Sequence, residues 1–121
     1  MEWTPDQLAA INDSEELTIV ARRPDHEPLR VPVWVVVAAG EVFVRSYKGP
    51  SARWFKRVNN HPLGAISIGG PDIEVEFVPY LEEALDTDIN DAYRVKYSRF
   101  DYVTSMWESK AVESTLLVRP V

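Results

Sequence analysis

Residues 29–46 read LRVPVWVVVAAGEVFVRS, which is two apolar, β-branched runs on either side of Ala39-Gly40. Short runs of this composition are typical of strands that are buried on both faces or that line a barrel. Pro32 has no N–H for a sheet ladder, so it predicts an edge position or a bulge near the start of the first strand. The stretch therefore predicts a hairpin of two buried strands joined by a tight turn.

The rest of the chain predicts more short strands and a few helices. Alternating or short apolar runs predict strands at residues 17–23, 63–68, 73–78 and 114–119. Thr4, Pro5 and Gln7 form a capping-box pattern for a first helix that ends near residue 12 or 13. A second helix follows residues 49–51, with Gly49 or Ser51 as its cap, and Asp88 is predicted to cap a third. About six strands and three helices, with short hairpin turns, predict a mainly β fold: a small antiparallel barrel with flanking helices.

Composition bounds the class of protein. The 121 residues fit a single domain spanning 1–121, and no apolar run is long enough to cross a bilayer. The chain has no cysteine and no secretory pattern at its start, so we expect a cytoplasmic protein without disulfides. A net charge of −6 argues against nucleic-acid binding. The two histidines, His26 and His61, lie in proline-flanked turns, and their spacing predicts no metal site.

One window of this acidic chain contains no acidic residue. Residues 42–71 include five lysines and arginines, and their centre is a predicted strand-to-helix junction with glycine and serine. Cations, hydroxyls and the N–H groups of a helix start suit an anion such as a phosphate, and nearby aromatic rings suit a flat head group. A solvated basic helix face whose aromatic residues are simply core explains the same pattern. The candidate ligand-binding residues are Arg45, Ser46, Tyr47, Lys48, Gly49, Ser51, Arg53 and Trp54, together with Trp34.

Several short motifs resemble those of a known superfamily. They are Val31-Pro32-Val33-Trp34, Val44-Arg45-Ser46, Gly49, Arg53-Trp54, Ala92-Tyr93-x-x-Lys96-Tyr97 and Thr115-Leu116. Their order along the chain resembles the split β-barrel superfamily that binds flavin mononucleotide (FMN) or a deazaflavin. This superfamily includes pyridoxamine-phosphate-oxidase-like and deazaflavin-dependent nitroreductase-like proteins. Within it, the chain is similar to the family called domain of unknown function 2255.

The resemblance implies a ligand and a set of contacts. It implies that Arg45, Ser46, Lys48 and Arg53 bind the phosphate of FMN or a deazaflavin, and that Trp34, Tyr47 and Trp54 lie near the ring. It also implies a homodimer with the cofactor at its interface and a redox reaction on a small molecule. The oxidases' flavin signature is Arg-x-[hydrophobic]-[hydrophobic]-[Lys/Arg]. It is not matched at Arg30, because Val31 and Pro32 follow and no matching second cation comes after them. The alternative is therefore a split barrel that binds a small anion without being an enzyme. No catalytic residue is predicted.

Overall fold

Seven strands and four α-helices make up the computed structural model, which describes residues 2–121. Three short 3₁₀ segments, Gly49–Ser51, Glu83–Leu85 and Asp101–Trp107, connect them. In chain order the elements are α1 (Pro5–Asp13), β1 (Leu17–Ala21), β2 (Leu29–Val33), β3 (Val35–Ala38), β4 (Glu41–Val44), α2 (Arg53–Asn60), β5 (Leu63–Ser67), β6 (Ile73–Pro79), α3 (Asp86–Lys96), α4 (Ser109–Glu113) and β7 (Leu116–Pro120).

The strands form one antiparallel sheet in the order β2-β1-β5-β6-β7-β4-β3. Its two edge strands, β2 and β3, are consecutive in the chain, and only Trp34 separates them. Because neighbouring Cα atoms are about 3.8 Å apart, the two edges of the sheet must meet at Trp34. The sheet therefore curls into a barrel that is split at this residue, which confirms the predicted antiparallel split barrel.

The break at Trp34 explains why seven strands form where about six were predicted. The apolar run of residues 29–37 was expected to be one strand, but its halves pair with β1 and β4 on opposite sides of the sheet. Pro32 lies in the edge strand β2, as its missing N–H required. The turn between β3 and β4 has positive φ at both Ala39 (52°) and Gly40 (74°), which is typical of a two-residue hairpin.

The two faces of the sheet bury two separate cores. Along β4, Val42 and Val44 point into the barrel, whereas Phe43 points to the outer face, where α3 packs against β3. The barrel interior is filled mainly by aliphatic side chains: Leu17, Ile19, Val33, Val35, Ile66, Val75, Leu116 and Val118, with Phe77. The outer core contains Val36, Ala38, Phe43, Ile89, Tyr93, Tyr97, Val103 and Met106.

Helix α1 has the predicted capping box. The Gln7 N–H donates to the Thr4 hydroxyl over 3.1 Å, and the Thr4 N–H donates to the Gln7 side chain over 2.9 Å. Trp3, just before the cap, is buried and donates from Nε1 to the Val118 carbonyl over 3.0 Å. Through this bond the N-terminal segment is fixed to β7.

The start of α3 differs from the prediction. Asp88 does not cap the helix, because α3 begins at Asp86 and its N-cap is Leu85. The preceding 3₁₀ segment runs directly into α3, so Asp86 and Asp88 both lie in the first turn, where their charges favour the helix dipole. No helix within residues 2–121 has both the length and the apolar character needed to cross a membrane.

Gly64 in β5 allows a close strand contact that a matched pair of variants can test. A Cβ at Gly64 would lie 2.5 Å from the Val20 carbonyl oxygen, whereas one at Gly70 would meet no atom within 4 Å. We expect Gly64→Ala to lower the free energy of unfolding by about 2 kcal/mol, because the paired strands β1 and β5 must separate. Gly70→Ala should change it by less than about 0.5 kcal/mol. Equal urea midpoints for the two variants would contradict the close spacing of β1 and β5 at Gly64.

Candidate anion-binding site

The strand-to-helix junction of residues 45–54 has a buried part and an exposed part. Arg45 follows Val44 and keeps the alternation of β4, so its side chain points to the same face as Phe43. It is therefore directed toward α3 and away from solvent. Only 1% of Arg45 is exposed, which makes it one of the largest fully buried side chains of the protein.

Internal acceptors surround the Arg45 guanidinium. Its Nε donates to the Thr115 hydroxyl over 2.8 Å. Its Nη1 donates to the Asn90 side-chain oxygen over 2.5 Å and to the Met106 carbonyl over 3.0 Å. These bonds join the end of β4 to α3, to the 3₁₀ segment before α4, and to the start of β7.

The charge of Arg45 is only partly compensated. Asp86 supplies the nearest carboxylate, 3.7 Å from Nη2, and Nη2 itself makes no hydrogen bond. Burial lowers the pKa of Arg45, although the Tyr93 phenol and Asp86 oppose this shift. The guanidinium lies 5.8 Å from the centroid of the Tyr93 ring, and burial raises the pKa of Tyr93, whose hydroxyl also lacks a well-formed hydrogen bond. The pair forms a dehydrated polar centre inside the outer core.

Ser46 is also engaged internally. Its backbone N–H donates to the Ser114 hydroxyl over 2.8 Å, and only 3% of Ser46 is exposed. The Ser114 hydroxyl in turn lies 2.7 Å from the Ala111 carbonyl, to which it donates. Ser46 thus fixes the junction to the segment between α4 and β7.

Gly49 allows a close approach, but of protein backbone. Its φ is +72°, and an added Cβ would lie 2.8 Å from the Lys110 carbonyl oxygen. Both facts favour glycine, since an L side chain would be strained and would collide with α4. Gly49 was predicted as a ligand-binding residue, but in the structure the Lys110 backbone occupies the space beside it.

The exposed part of the junction presents cations around an open helix start. Ala52 is the N-cap of α2 and has no side-chain acceptor, so the predicted caps Gly49 and Ser51 do not cap this helix. They lie in the 3₁₀ turn, where the Ser51 hydroxyl donates to the Lys48 carbonyl over 3.0 Å. Lys48 and Arg53 flank the open helix start, and both are exposed.

Tyr47 completes this exposed group. It is 60% exposed, and the Lys48 ammonium lies 5.8 Å from its ring centroid. Tyr47 is therefore the aromatic ring that the junction presents to solvent, next to its cations.

The two tryptophans of the predicted set do not share one surface. Trp54 is 7% exposed and packs with the core of the barrel interior. Trp34 is half-buried in the outer core, where it stacks on Tyr97 with a centroid distance of 4.1 Å and on Tyr102 with a distance of 5.4 Å. They line different cores, so they cannot together form a flat platform for a ring.

Among the three helices of eight or more residues within 2–121, α2 has the most favourable start for an anion. The start of α1 is closed by its capping box, and the first turn of α3 contains Asp86 and Asp88. The start of α2 has neither a side-chain cap nor an acidic residue. Of these three helix starts, it alone combines unpaired N–H groups with positive charge.

The Ala92-Tyr93-x-x-Lys96-Tyr97 motif is structural. The Lys96 ammonium donates to the Val35 carbonyl over 2.8 Å and to the Ile11 carbonyl over 3.3 Å, and burial lowers its pKa to about 8. The Tyr97 hydroxyl donates to the Glu15 carbonyl over 2.7 Å, and burial raises its pKa to about 12. Both side chains join α3 to the edge strand β3 and to the segment around α1.

Sequence reasoning missed the residues that surround Arg45. Asp86 and Asn90 lie one turn apart on α3, and Tyr93 and Tyr97 continue the same helical face. The sequence did contain a signal for this cluster. Asp86 and Asn90 are polar residues at the start of a helix face that then becomes aromatic, and polar residues on a buried face require a polar partner inside the fold. Thr115 was named only within the family resemblance.

Comparison with known proteins places the chain in a family. Residues 7–118 match the family model described as an uncharacterized protein conserved in bacteria, DUF2255. The chain belongs to the DUF2255 family. No curated protein matches the sequence.

Solved structures resemble this DUF2255 protein in fold. Conserved hypothetical protein Rv2991 from Mycobacterium tuberculosis is 17% identical with a TM-score of 0.67, and the match covers 100% of this chain and 81% of that one. A candidate pyridoxamine 5'-phosphate oxidase from Listeria innocua is 14% identical with a TM-score of 0.62, covering 94% and 88%. An F420 reductase is 14% identical with a TM-score of 0.60, covering 93% and 91%. At these identities the likeness shows the split-barrel fold.

Removing the Arg45 charge tests its structural role. Arg45→Met should lower the free energy of unfolding by about 3 kcal/mol, because Asn90, Thr115 and Met106 lose their buried donor. Arg23→Met is the matched control: Arg23 is exposed and makes no ion pair within residues 2–121, so the change should be under about 0.5 kcal/mol. Urea unfolding measures both. A midpoint for Arg45→Met equal to that of the control would show that the buried contacts add nothing.

Proposed function

We propose that this DUF2255 protein binds FMN or a deazaflavin through its phosphate, at the start of α2. The observation that supports this most is the open N-terminus of α2 between exposed Lys48 and Arg53, in a chain of net charge −6. Backbone N–H groups, the positive end of the helix dipole and two cations all favour a phosphate there. The fold shared with a candidate pyridoxamine 5'-phosphate oxidase and an F420 reductase favours a cofactor of this type.

The proposal divides the predicted residues into two roles. Four of them are exposed: Lys48, Arg53 and Ser51 would contact the phosphate end, and Tyr47 would lie near the ring. The buried members fix the shape of the junction: Arg45, Ser46, Gly49 and Trp54. Trp34 is half-buried and packs in the outer core on Tyr97 and Tyr102.

Fewer residues of the junction are available to contact the flavin ring than to contact the phosphate. Tyr47 is the exposed aromatic residue beside the cations, and it would contact the edge or face of a flavin ring. When bound, such a cofactor supplies hydride transfer, and the protein supplies its position and electrostatic surroundings. An oxidoreductase on a small molecule, acting as a homodimer, is the full form of the proposal.

The second candidate is a split barrel that binds a phosphate-bearing molecule without redox chemistry. It is favoured by Arg30, the residue closest to the oxidases' flavin signature. Arg30 is engaged by Asp72, to which it donates from both terminal nitrogens over 2.9 and 3.0 Å. Its guanidinium is thus paired at the far edge strand β2 and is not directed to a cofactor phosphate.

Paired ligands and paired variants test the phosphate assignment. FMN and riboflavin differ only in the phosphate, so Lys48→Ala and Arg53→Ala should each weaken FMN binding about tenfold and leave riboflavin binding unchanged. Arg94→Ala removes an exposed charge from the last turn of α3, outside the junction, and should affect neither ligand. Quenching of flavin fluorescence measures the affinity of the wild type and of each variant for both ligands. The affinities for the deazaflavin are measured in the same way.

The outcomes separate the two candidates. Failure of both FMN and a deazaflavin to bind at micromolar concentration would remove the cofactor proposal. Binding of pyrophosphate that Lys48→Ala weakens would then support the anion-binding alternative. An equal loss of FMN affinity in Arg94→Ala and Lys48→Ala would show that net charge, and no particular contact, governs binding.

A further inference from the structure

A groove lies at the C-terminal end of α2, opposite the helix start that was described above. Its volume is about 570 Å³, which is in the range of small-molecule sites. The β1–β2 loop forms one wall, and the end of α2 with the start of β5 forms the other. Both histidines of the chain, His26 and His61, line it.

The lining of this groove is free of carboxylates in the described part of the chain. Arg22 and Arg23 lie beside the histidines, and prolines with the exposed Leu63 supply an apolar surface. Arg22 is neutralised by a bidentate pair with Glu74, so Arg23 is the available guanidinium. By contrast, another groove of about 500 Å³, along β3 and α3, is lined by Asp88 and Asp91 as well as Lys96.

Hydrogen bonds fix the wall that carries the histidine and the arginine. The backbone N–H of His26 donates to the Arg23 carbonyl over 3.1 Å and closes a turn in which Asp25 has a φ of 60°. Arg57 of α2 donates to the Glu27 carbonyl over 2.9 Å and so joins the loop to the helix. The groove is therefore formed before any ligand arrives, which lowers the entropic cost of binding.

The polar groups of the groove are mostly donors. The Arg23 guanidinium, the Asn60 amide and a His61 ring N–H can all donate to an anion. Since the Pro24 carbonyl can only accept, His26 Nδ1 must carry the hydrogen of their 2.9 Å contact. His26 Nε2 is then free, and it becomes a further donor when the ring is protonated.

We propose that this groove binds a small organic anion, with a carboxylate or phosphate near Arg23 and His61 and an apolar body on Leu63 and the prolines. The site is separate from the one in the proposed function. Helix α2 has eight residues, so its two ends are about 12 Å apart. The two sites therefore respond to different substitutions.

Two-dimensional ¹H–¹⁵N NMR of the full chain, with benzoate, phenyl phosphate and benzyl alcohol as probes, tests this. We expect either anion to shift the amide signals of Arg23, His61 and Leu63, and benzyl alcohol to bind more weakly. Arg23→Ala removes an exposed charge and should weaken the anions about three- to fivefold. His61→Gln removes a ring N–H donor and should weaken them by a similar factor. Arg94→Ala, which removes an exposed cation from the last turn of α3, is the matched control and should leave their affinity for this groove unchanged. Whichever of benzoate and phenyl phosphate binds more tightly indicates whether the groove favours a carboxylate or a phosphate.

Three results would overturn the proposal. They are the absence of localised shifts at millimolar benzoate and phenyl phosphate, equal binding of benzyl alcohol, and an equal loss of affinity in Arg94→Ala. Each is distinguishable from failure of the cofactor proposal, because FMN binding is tested through Lys48 and Arg53 at the other end of the helix.

Discussion

A buried guanidinium connects the parts of this protein that surround the candidate site. Arg45 follows the barrel strand β4, yet its donors contact α3, Thr115 just before β7, and the 3₁₀ segment between α3 and α4. A charge that is 1% exposed must be surrounded by acceptors, because an unpaired buried donor costs free energy. The alternation of side chains along β4 therefore determines more than the apolar cores. It directs Arg45 to the outer face, where α3 supplies polar partners for the guanidinium.

This centre determines which residues remain available for a ligand. With Arg45 and Ser46 engaged internally and Gly49 against the Lys110 backbone, the junction is fixed before α2 begins. Lys48 and Arg53 then extend from a rigid support beside unpaired N–H groups. Rigid support is what an anion site requires, since a preformed arrangement avoids the cost of ordering on binding. The same helix ends at the groove of Arg23 and His61, whose lining within residues 2–121 contains no carboxylate, so α2 lies between the two anion sites that we propose.

Much of the fold followed from periodicity, and the site followed only in part. Hairpin chemistry at Ala39-Gly40 and the capping box at Thr4 are local, so residue pattern was enough to predict them. The break at Trp34 depends on which strands pair at long range, and the apolar run contains no signal for it. Arg45 was correctly placed at the junction, but its burial depends on α3, more than 40 residues away in sequence, whose acceptors cannot be identified without the tertiary fold.

The central claim is that Arg45 supports the junction while Arg53 meets the ligand. Side-chain NMR of ¹⁵N-labelled arginine during titration with FMN tests it most directly, since each guanidinium Nε–H gives its own signal. We predict a slowly exchanging Arg45 Nε–H signal that FMN does not shift, and a rapidly exchanging Arg53 signal that shifts with saturation. An Arg45 signal that exchanges rapidly, or that shifts while the Arg53 signal stays still, would contradict this division of roles.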